Sequence, residues 1–404
     1  MQHKKIAAAL ASAAIMAALV PTSAAQAEQT GLNVQGGKIY SNGQQFIPQG
    51  INDGYAWYTD KTSVIGDIAH TGANTVRVVL SGGRYGTTTT SEVENIVGQC
   101  KANKLVCILE DHDTTGYGDA SSATTLSDAV RFWQSVGSAI KGQEQYVMIN
   151  IGNEPYGNND ASQWTQGTLD AVKAMRQSGF SNTLVLTAPN WGQDWQGIMQ
   201  SNAKTIYQQD SNVVFDVHMY GVYSTADKVT SYIDSFVNQG LPLMVGEFGN
   251  KHSDGIPDAA TIMSYTRAKG VGLLAWSWCG NSGGVEYLDL VNDWNPSSLT
   301  DWGNLYIKGT NGLEQRGVEP AGIYGGSSDR SPDGYPWCTS NAYIDPNGDG
   351  WGWENNQSCK VRSDSSQSGT QYAPNGYPYC TSSAYADSNG DGWGWENNQS
   401  CVVR

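Results

Sequence analysis

Between about residues 32 and 324, short apolar runs alternate with longer segments whose apolar residues recur at helical spacing. The runs are QQFIPQGIN, ANTVRVVL, KLVCILE, YVMINIGNE, TLVLTAPN, NVVFDVHMY, LPLMVGEFG and GVGLLAWSW. Each is rich in Val, Ile and Leu and follows the last by roughly 30 residues, too short for a helix and apolar on both faces, which predicts strands of a parallel sheet buried on both sides. Ser91–Asn103, Ser127–Lys141 and Ala259–Lys269 are amphipathic and predict helices between them. Eight such units in about 290 residues predict an α/β fold, a closed (β/α)8 (TIM) barrel. The competing architecture is an open doubly wound sheet. No Gly-rich phosphate loop follows the first run, so neither arrangement carries a nucleotide site.

The two ends of the chain follow other patterns. Lys4 and Lys5 precede an apolar run, Ile6 to Val20, with small residues at Ser23-Ala24-Ala25 and Ala25-Gln26-Ala27. This predicts a secretory signal over residues 1–27, since the run falls short of the ~20 residues that span a bilayer. A secreted, extracellular protein with no membrane partner is expected. At the other end, Gly334–Arg362 is repeated at Gly376–Arg404, an offset of 42 residues with 24 of 29 positions identical. Polar, flexible sequence precedes and separates the copies. The expected organisation is a catalytic domain over 28–325, a linker over 326–333, a module over 334–362, a linker over 363–375 and a second module over 376–404. Two copies with a linker between them do not make a solenoid.

Composition narrows the chemistry. A net charge of −15 argues against nucleic acid. Fourteen Trp and 21 Tyr stand beside 6 Phe, and flat rings with a polar edge suit the C–H faces of sugars. In a (β/α)8 barrel, functional groups gather where strands end and βα loops begin. Arg77 lies within the second predicted strand, His112 beyond the third, Asn153 and Glu154 at the end of the fourth. His218 and Tyr220 end the sixth, Glu247 the seventh, Trp276 and Trp278 the eighth. Strands four and seven face each other, so Glu154 and Glu247 can approach the ~5 Å that retaining glycoside hydrolysis requires. Arg77 beneath Glu247 would favour its ionised form. The structural alternative is an ion pair that merely closes the barrel. His112 and His218 lack paired metal-ligand spacing, and no GxSxG elbow supports a Ser nucleophile. A glycan-binding scaffold without activity is the remaining competitor.

The motifs Asn153-Glu154-Pro155 and Gly246-Glu247-Phe248, with NTVRVVLSGG, the DH of LEDHD, DVHMYGVY and GLLAWSWCGNSGG, resemble glycoside hydrolase family 5, and Leu32 to about Gly303 is similar to its bacterial β-mannanases. The resemblance implies an endo-acting enzyme on β-1,4-linked mannan, galactomannan or glucomannan, with an endo-β-1,4-glucanase as the alternative. It implies Glu154 as acid/base, Glu247 as nucleophile and Asn153 as a hydrogen-bond donor to the sugar 2-OH. Arg77, His112, His218 and Tyr220 would orient the carboxylates and the central sugar. Trp276 would form the floor, Trp57 a wall, and Trp191 an outlying subsite. No cofactor is implied for catalysis, and a monomer is expected.

Each repeat has two cysteines 21 positions apart, Cys338 with Cys359 and Cys380 with Cys401. In a secreted chain, identical spacing in both copies predicts one bridge per module, which stabilises by roughly 3 kcal/mol. Each also carries a WGW, Trp351/Trp353 and Trp393/Trp395, plus Trp337 or Tyr379, too many large rings for so small a core to hide. At least two rings per module are therefore expected to be exposed for binding. The repeats resemble carbohydrate-binding module family 10, which implies binding to cellulose or another insoluble plant glycan; they depart from it in having one bridge where that family typically has two. Asp345, Asn347 and Asp349, repeated as Asp387, Asn389 and Asp391, open like a calcium loop. The Glu expected to close such a loop is replaced by Asn356 and Asn398. Structural calcium is one reading and a plain Gly-Asn turn the other. Cys100 and Cys107 are open to pairing or to being buried thiols, and Cys279 has no assigned role.

Overall fold

The structure, a computed structural model, describes residues 31–325 together with 350–354, 357–361, 392–396 and 399–402. Eight parallel strands close a barrel in chain order: Gln49–Asp53, Thr75–Leu80, Val106–Asp111, Val147–Asn150, Leu184–Thr187, Val213–Met219, Leu243–Phe248 and Gly272–Ala275. The eighth pairs with the first, so the closed architecture holds and the open sheet does not. Every residue of these strands is buried. Burial on both faces is the reason the runs are continuously apolar.

Local signals set the helices around them. Thr90–Ala102 and Leu126–Ser135 each start on a reciprocal cap, Thr89 with Glu92 and Thr125 with Asp128. Ala259–Lys269 ends at Gly270, whose positive φ suits glycine. The helix predicted over Ser127–Lys141 stops six residues short of Lys141, at Ser135, and a single 3-10 turn over Gly137–Ala139 follows. Phe180 lies against Gly137, where a Cβ would sit 3.1 Å from its ring.

The first predicted run is two strands, not one. Gln44–Phe46 joins Leu32–Gln35 and Lys38–Ser41 in a small antiparallel sheet, and Gln49–Asp53 begins the barrel. Pro48 between them has no N–H to continue a ladder. Leu32, Val34, Ile39 and Phe46 of this sheet pack on Val106, Ile108, Met148, Val185, Val214, Met244 and Leu274 near the strand starts. The sheet thus plugs the N-terminal end of the barrel with apolar side chains and leaves the polar groups to the C-terminal end.

One irregularity decides where the chemistry lies. Along the seventh strand Met244 packs with the barrel-interior cluster and Val245 with the outer one, so strict alternation would turn Glu247 outward. The register slips between Val217 and His218: Val217 pairs with Val245, but His218 with Glu247. The extra residue is Gly246. Its N–H donates to Asp216 Oδ1 at 2.7 Å and its carbonyl accepts from Asn52 Nδ2 at 2.8 Å. Such a bulge re-aims the following side chain, and Glu247 turns inward.

Cys100, Cys107 and Cys279 are buried free thiols, which settles the first two against a bridge. In the modules, Trp351–Glu354 pairs with Gln357–Lys360, and Trp393–Glu396 with Gln399–Val402, both antiparallel. Of the six module rings expected to meet glycan, Trp351 is half-buried and Trp393 exposed. The two WGW motifs thus form strands, but the side chains of Trp353 and Trp395, the second ring of each, lie outside the described residues. Trp393 fits the expectation of exposed rings and Trp351 fits it in part. Residues 1–27, Trp337, Tyr379, Cys338, Cys380 and the six Asp/Asn positions of the candidate calcium loops (Asp345, Asn347, Asp349, Asp387, Asn389, Asp391) also lie outside the described residues. Among the described residues no helix is long and apolar enough to cross a membrane.

Two glycines make a paired test of this packing. A Cβ on Gly246 would stand 2.3 Å from Asp216 Oδ1, whereas one on Gly98, inside Thr90–Ala102, meets nothing within 4 Å. Gly246→Ala is expected to destabilise the barrel by about 1–3 kcal/mol, and Gly98→Ala to stabilise it by about 0.5–1 kcal/mol. Denaturant unfolding of both variants checks the opposite signs.

Candidate active site

The site is built from its floor upward. Arg77, on the second strand, has no solvent exposure. Its Nη1 donates to Glu247 Oε1 at 2.9 Å and Asn52 Oδ1 at 2.8 Å; its Nη2 donates to Asn150 Oδ1 at 2.9 Å and Asn153 Oδ1 at 2.5 Å. Glu110 stands 3.6 Å away. Burial alone would lower the Arg77 pKa, but Glu110, Glu247 and Asp216 raise it, so the cation is held. Asn153 also donates to Thr115 Oγ1 at 2.9 Å, so its amide is fixed from two sides.

Above the floor stand the two predicted carboxylates and His218. His218 Nδ1 lies 2.7 Å from Glu154 Oε1 and 3.5 Å from Glu247 Oε2, and its Nε2 is 3.4 Å from Asp216 Oδ2. Tyr220 donates its hydroxyl to Glu247 Oε2 at 2.9 Å. Ligand atoms of Glu154, His218 and Glu247 all lie within 4.8 Å of one another. Burial works against a charged His218, yet Glu247 and Asp216 push its pKa up to about 10. With His218 Nδ1 directed at Glu154 and Glu247 beside it, the trio is arranged for proton transfer. Burial raises Glu247 against the pull of His218 and Arg77, whereas the His218 hydrogen bond and charge hold Glu154 down despite its burial. Tyr220 is raised by burial and by Glu247, and so stays a donor.

Aromatic rings line the approach on one side. His112, fixed by Glu110 Oε1 at 2.9 Å, stacks on Trp276 with centroids 6.0 Å apart and planes 23° apart. Trp57 stands edge-on to both, at 4.9 Å from His112 and 6.3 Å from Trp276. On the other side opens a cavity of about 500 Å3, lined by Glu154, Asn158, Trp191, Trp195, Tyr220 and His252 among others. Trp191 is held there by Asp119 Oδ2 at 2.9 Å.

All eight predicted barrel-site positions that surround the two carboxylates therefore gather at this end. Trp278 does not join them: it is 1% exposed and belongs to the outer core. The sequence reading also missed Glu110, Asn52, Asn150 and Asp216, which hold the cations, and Tyr85 and Trp195, which add rings. Asn52, Asn150 and Asp216 share one signal, a polar residue interrupting an apolar strand.

A family model described as Cellulase (glycosyl hydrolase family 5) matches residues 39–282, more than half of the chain. The chain belongs to glycoside hydrolase family 5. A second model, described as a cellulose or protein binding domain, matches residues 327–361 and 371–403, once for each repeat. The chain is 49% identical to a mannan endo-1,4-β-mannosidase of Streptomyces lividans, over 89% of this chain and 96% of that one. It is 44% identical to one of Cellvibrio japonicus, over 91% and 88%. A structure of Thermomonospora fusca β-mannanase with mannohexaose superposes with a TM-score of 0.71 at 47% identity, over 73% of this chain and 99% of that one. At lower identity the chain is similar to endoglucanase A of Clostridium longisporum, 23% identical over 62% of this chain and 56% of that one.

The His218 charge makes a stability prediction. Its pKa is about 10 when folded against 6.5 as the ordinary value, so folding favours the protonated form. That contribution is complete below pH 6.5, declines above it, and is gone once the pH passes 10. The thermal midpoint of the protein is expected to fall between pH 6.5 and 10, and His218→Gln to flatten that slope. Equal slopes in both proteins would contradict it.

Proposed function

We propose that the protein is a secreted, endo-acting, retaining hydrolase of β-1,4-mannosidic bonds in mannan, galactomannan or glucomannan, held on plant cell wall cellulose by its two repeats. The observation that carries the catalytic part is the approach of Glu154 and Glu247 oxygens to within 4.8 Å, beside one cationic imidazole. That separation suits the ~5–5.5 Å of retaining enzymes and leaves no room for the water that inverting ones place between carboxylates ~6.5–9.5 Å apart. The mannanase relatives favour mannan over cellulose as substrate.

In this reading Glu247 attacks the anomeric carbon while Glu154 gives its proton to the departing glycosidic oxygen. The glycosyl ester on Glu247 is then opened by water, whose proton Glu154 takes back. Arg77 and Tyr220 occupy different oxygens of Glu247 and so fix its plane. Glu154 lines the roomy cavity, which suits the departing sugar; Trp57, His112 and Trp276 suit the other side of the bond.

The resting electrostatics run opposite to this sequence, with Glu154 held low and Glu247 high. His218 supplies the reason and the remedy. Its proton points to Glu154 at 2.7 Å rather than to Glu247 at 3.5 Å. Turning that donor towards Glu247 on sugar entry favours an ionised Glu247, and the proton it sheds passes to Glu154, as expected of coupled sites.

Release of reducing sugar from galactomannan, set beside carboxymethyl cellulose, tests activity and substrate together. Faster release from the cellulose derivative would make the protein an endo-β-1,4-glucanase, and none from either a glycan-binding scaffold. Glu154→Ala is expected to lose roughly 10²–10⁴ in rate on galactomannan, with much of the loss recovered on an activated aryl glycoside that needs no proton. Glu247→Ala should be inactive on both.

Secretion through residues 1–27, a monomeric state, and bridges Cys338–Cys359 and Cys380–Cys401 complete the proposal. At Asp345, Asn347 and Asp349 and at Asp387, Asn389 and Asp391, structural calcium competes with a plain Gly-Asn turn. Calorimetry of the full chain with and without chelator decides the last point: loss or lowering of a melting transition supports bound calcium, and an unchanged profile removes it.

A further inference from the structure

The two repeats differ at five of 29 positions, and one difference falls on the strand that faces the first tryptophan of each WGW. In the first repeat Trp351 pairs across the ladder with Lys360; in the second Trp393 pairs with Val402. The neighbouring residues Cys359 and Cys401 are buried, 1% and 2% exposed. Side chains alternate along a strand, so Lys360 and Val402 lie on the opposite, outward face with the tryptophans they pair with. Lys360 Nζ sits 3.8 Å from the centroid of the Trp351 ring. Trp393 is 40% exposed, and the position across from it carries a branched hydrocarbon with no charge.

We propose that the two modules are unequal platforms for an uncharged β-1,4-glycan, the second module gripping it and the first weakened by Lys360 over its tryptophan. The proposal rests on the repeats being glycan-binding modules. A sugar stacks its C–H face on an indole, which is where the Lys360 ammonium stands. Stacking must displace that cation–π contact, worth about two- to fivefold in an equilibrium at an exposed site. The ammonium is also strongly hydrated, and pressing it against a neutral crystalline surface strips water without giving a counter-charge. Val402 has neither handicap and adds an apolar edge. The first module then acts mainly through the tether, raising the local concentration of chain once the second has bound.

The test is retention of the full chain on insoluble cellulose, measured as a partition coefficient for six proteins: unaltered, Lys360→Val, Val402→Lys, Trp351→Ala, Trp393→Ala and the double Trp variant. Lys360→Val is expected to raise the coefficient about two- to fivefold and Val402→Lys to lower it by a similar factor. Both keep their tryptophan, so they do not depend on a small module surviving the loss of a ring. Trp393→Ala should cost more than Trp351→Ala. If the double Trp variant loses retention but the single variants lose it equally and Lys360→Val changes nothing, the inequality is wrong while glycan binding by the modules stands. If the double variant is retained like the unaltered chain, binding through these faces fails altogether, and this inference with it.

Discussion

The site depends on one buried guanidinium. Taking Arg77 out of water entirely is costly unless its charge and its donors are met, and residues from four other barrel strands converge on it. Asn52 comes from the first, Glu110 from the third, Asn150 and Asn153 from the fourth and its end, and Glu247 from the seventh. An arginine fork presents its donors in a rigid plane, so these partners fix each other's heights and angles through it. A lysine at position 77 would carry the charge but could not reach in two directions at once. The Glu247 carboxylate is thereby tied to the strand framework rather than to a loop.

Charge in this buried set does not balance. Glu110, Glu154, Asp216 and Glu247 supply four carboxyls, against cations on Arg77 and His218. Buried excess negative charge favours retaining a proton somewhere in the set, and a general acid needs such a proton in hand before substrate arrives. His218 stands at the branch point, between Asp216 below and the two glutamates above. In the proposed mechanism the whole group holds the proton, and the position of His218 sets which glutamate carries it.

The barrel was legible in the sequence because its strands are buried on both faces and its helices on one, and burial writes itself into the apolar pattern. What escaped were features whose cause is a neighbour distant in the chain. The apolar run spanning Phe46 and Ile51 reads as one strand, because its division depends on Pro48 and on a floor that only the closed barrel provides. Glu247 is at the right strand end by motif, but its inward aim comes from the Gly246 bulge, set by Asp216 thirty residues earlier and Asn52 on the opposite side of the closure. Glu110, Asn150 and Asp216 were visible as polar intrusions in apolar runs, yet nothing in one strand says which cation on another they hold. Trp278 shows the converse error: adjacency to Trp276 suggested a shared role, while the chain turns between them and sends one ring to the groove and the other to the core.

Aromatic residues serve two different geometries in this chain. In the barrel, Trp57 meets Trp276 at 76° while His112 lies within 23° of the same ring, so the approach to the carboxylates is walled in more than one plane. In the modules, by contrast, Trp351 and Trp393 stand on two-stranded ribbons, each on the face turned away from the buried cysteine beside its cross-strand partner. An open face contacts only the flat side of a glycan and reads little of its stereochemistry. What it can sense is charge and hydration at its edge, and there a single residue opposite the ring, Lys360 or Val402, changes its character while leaving the fold of the ribbon alone.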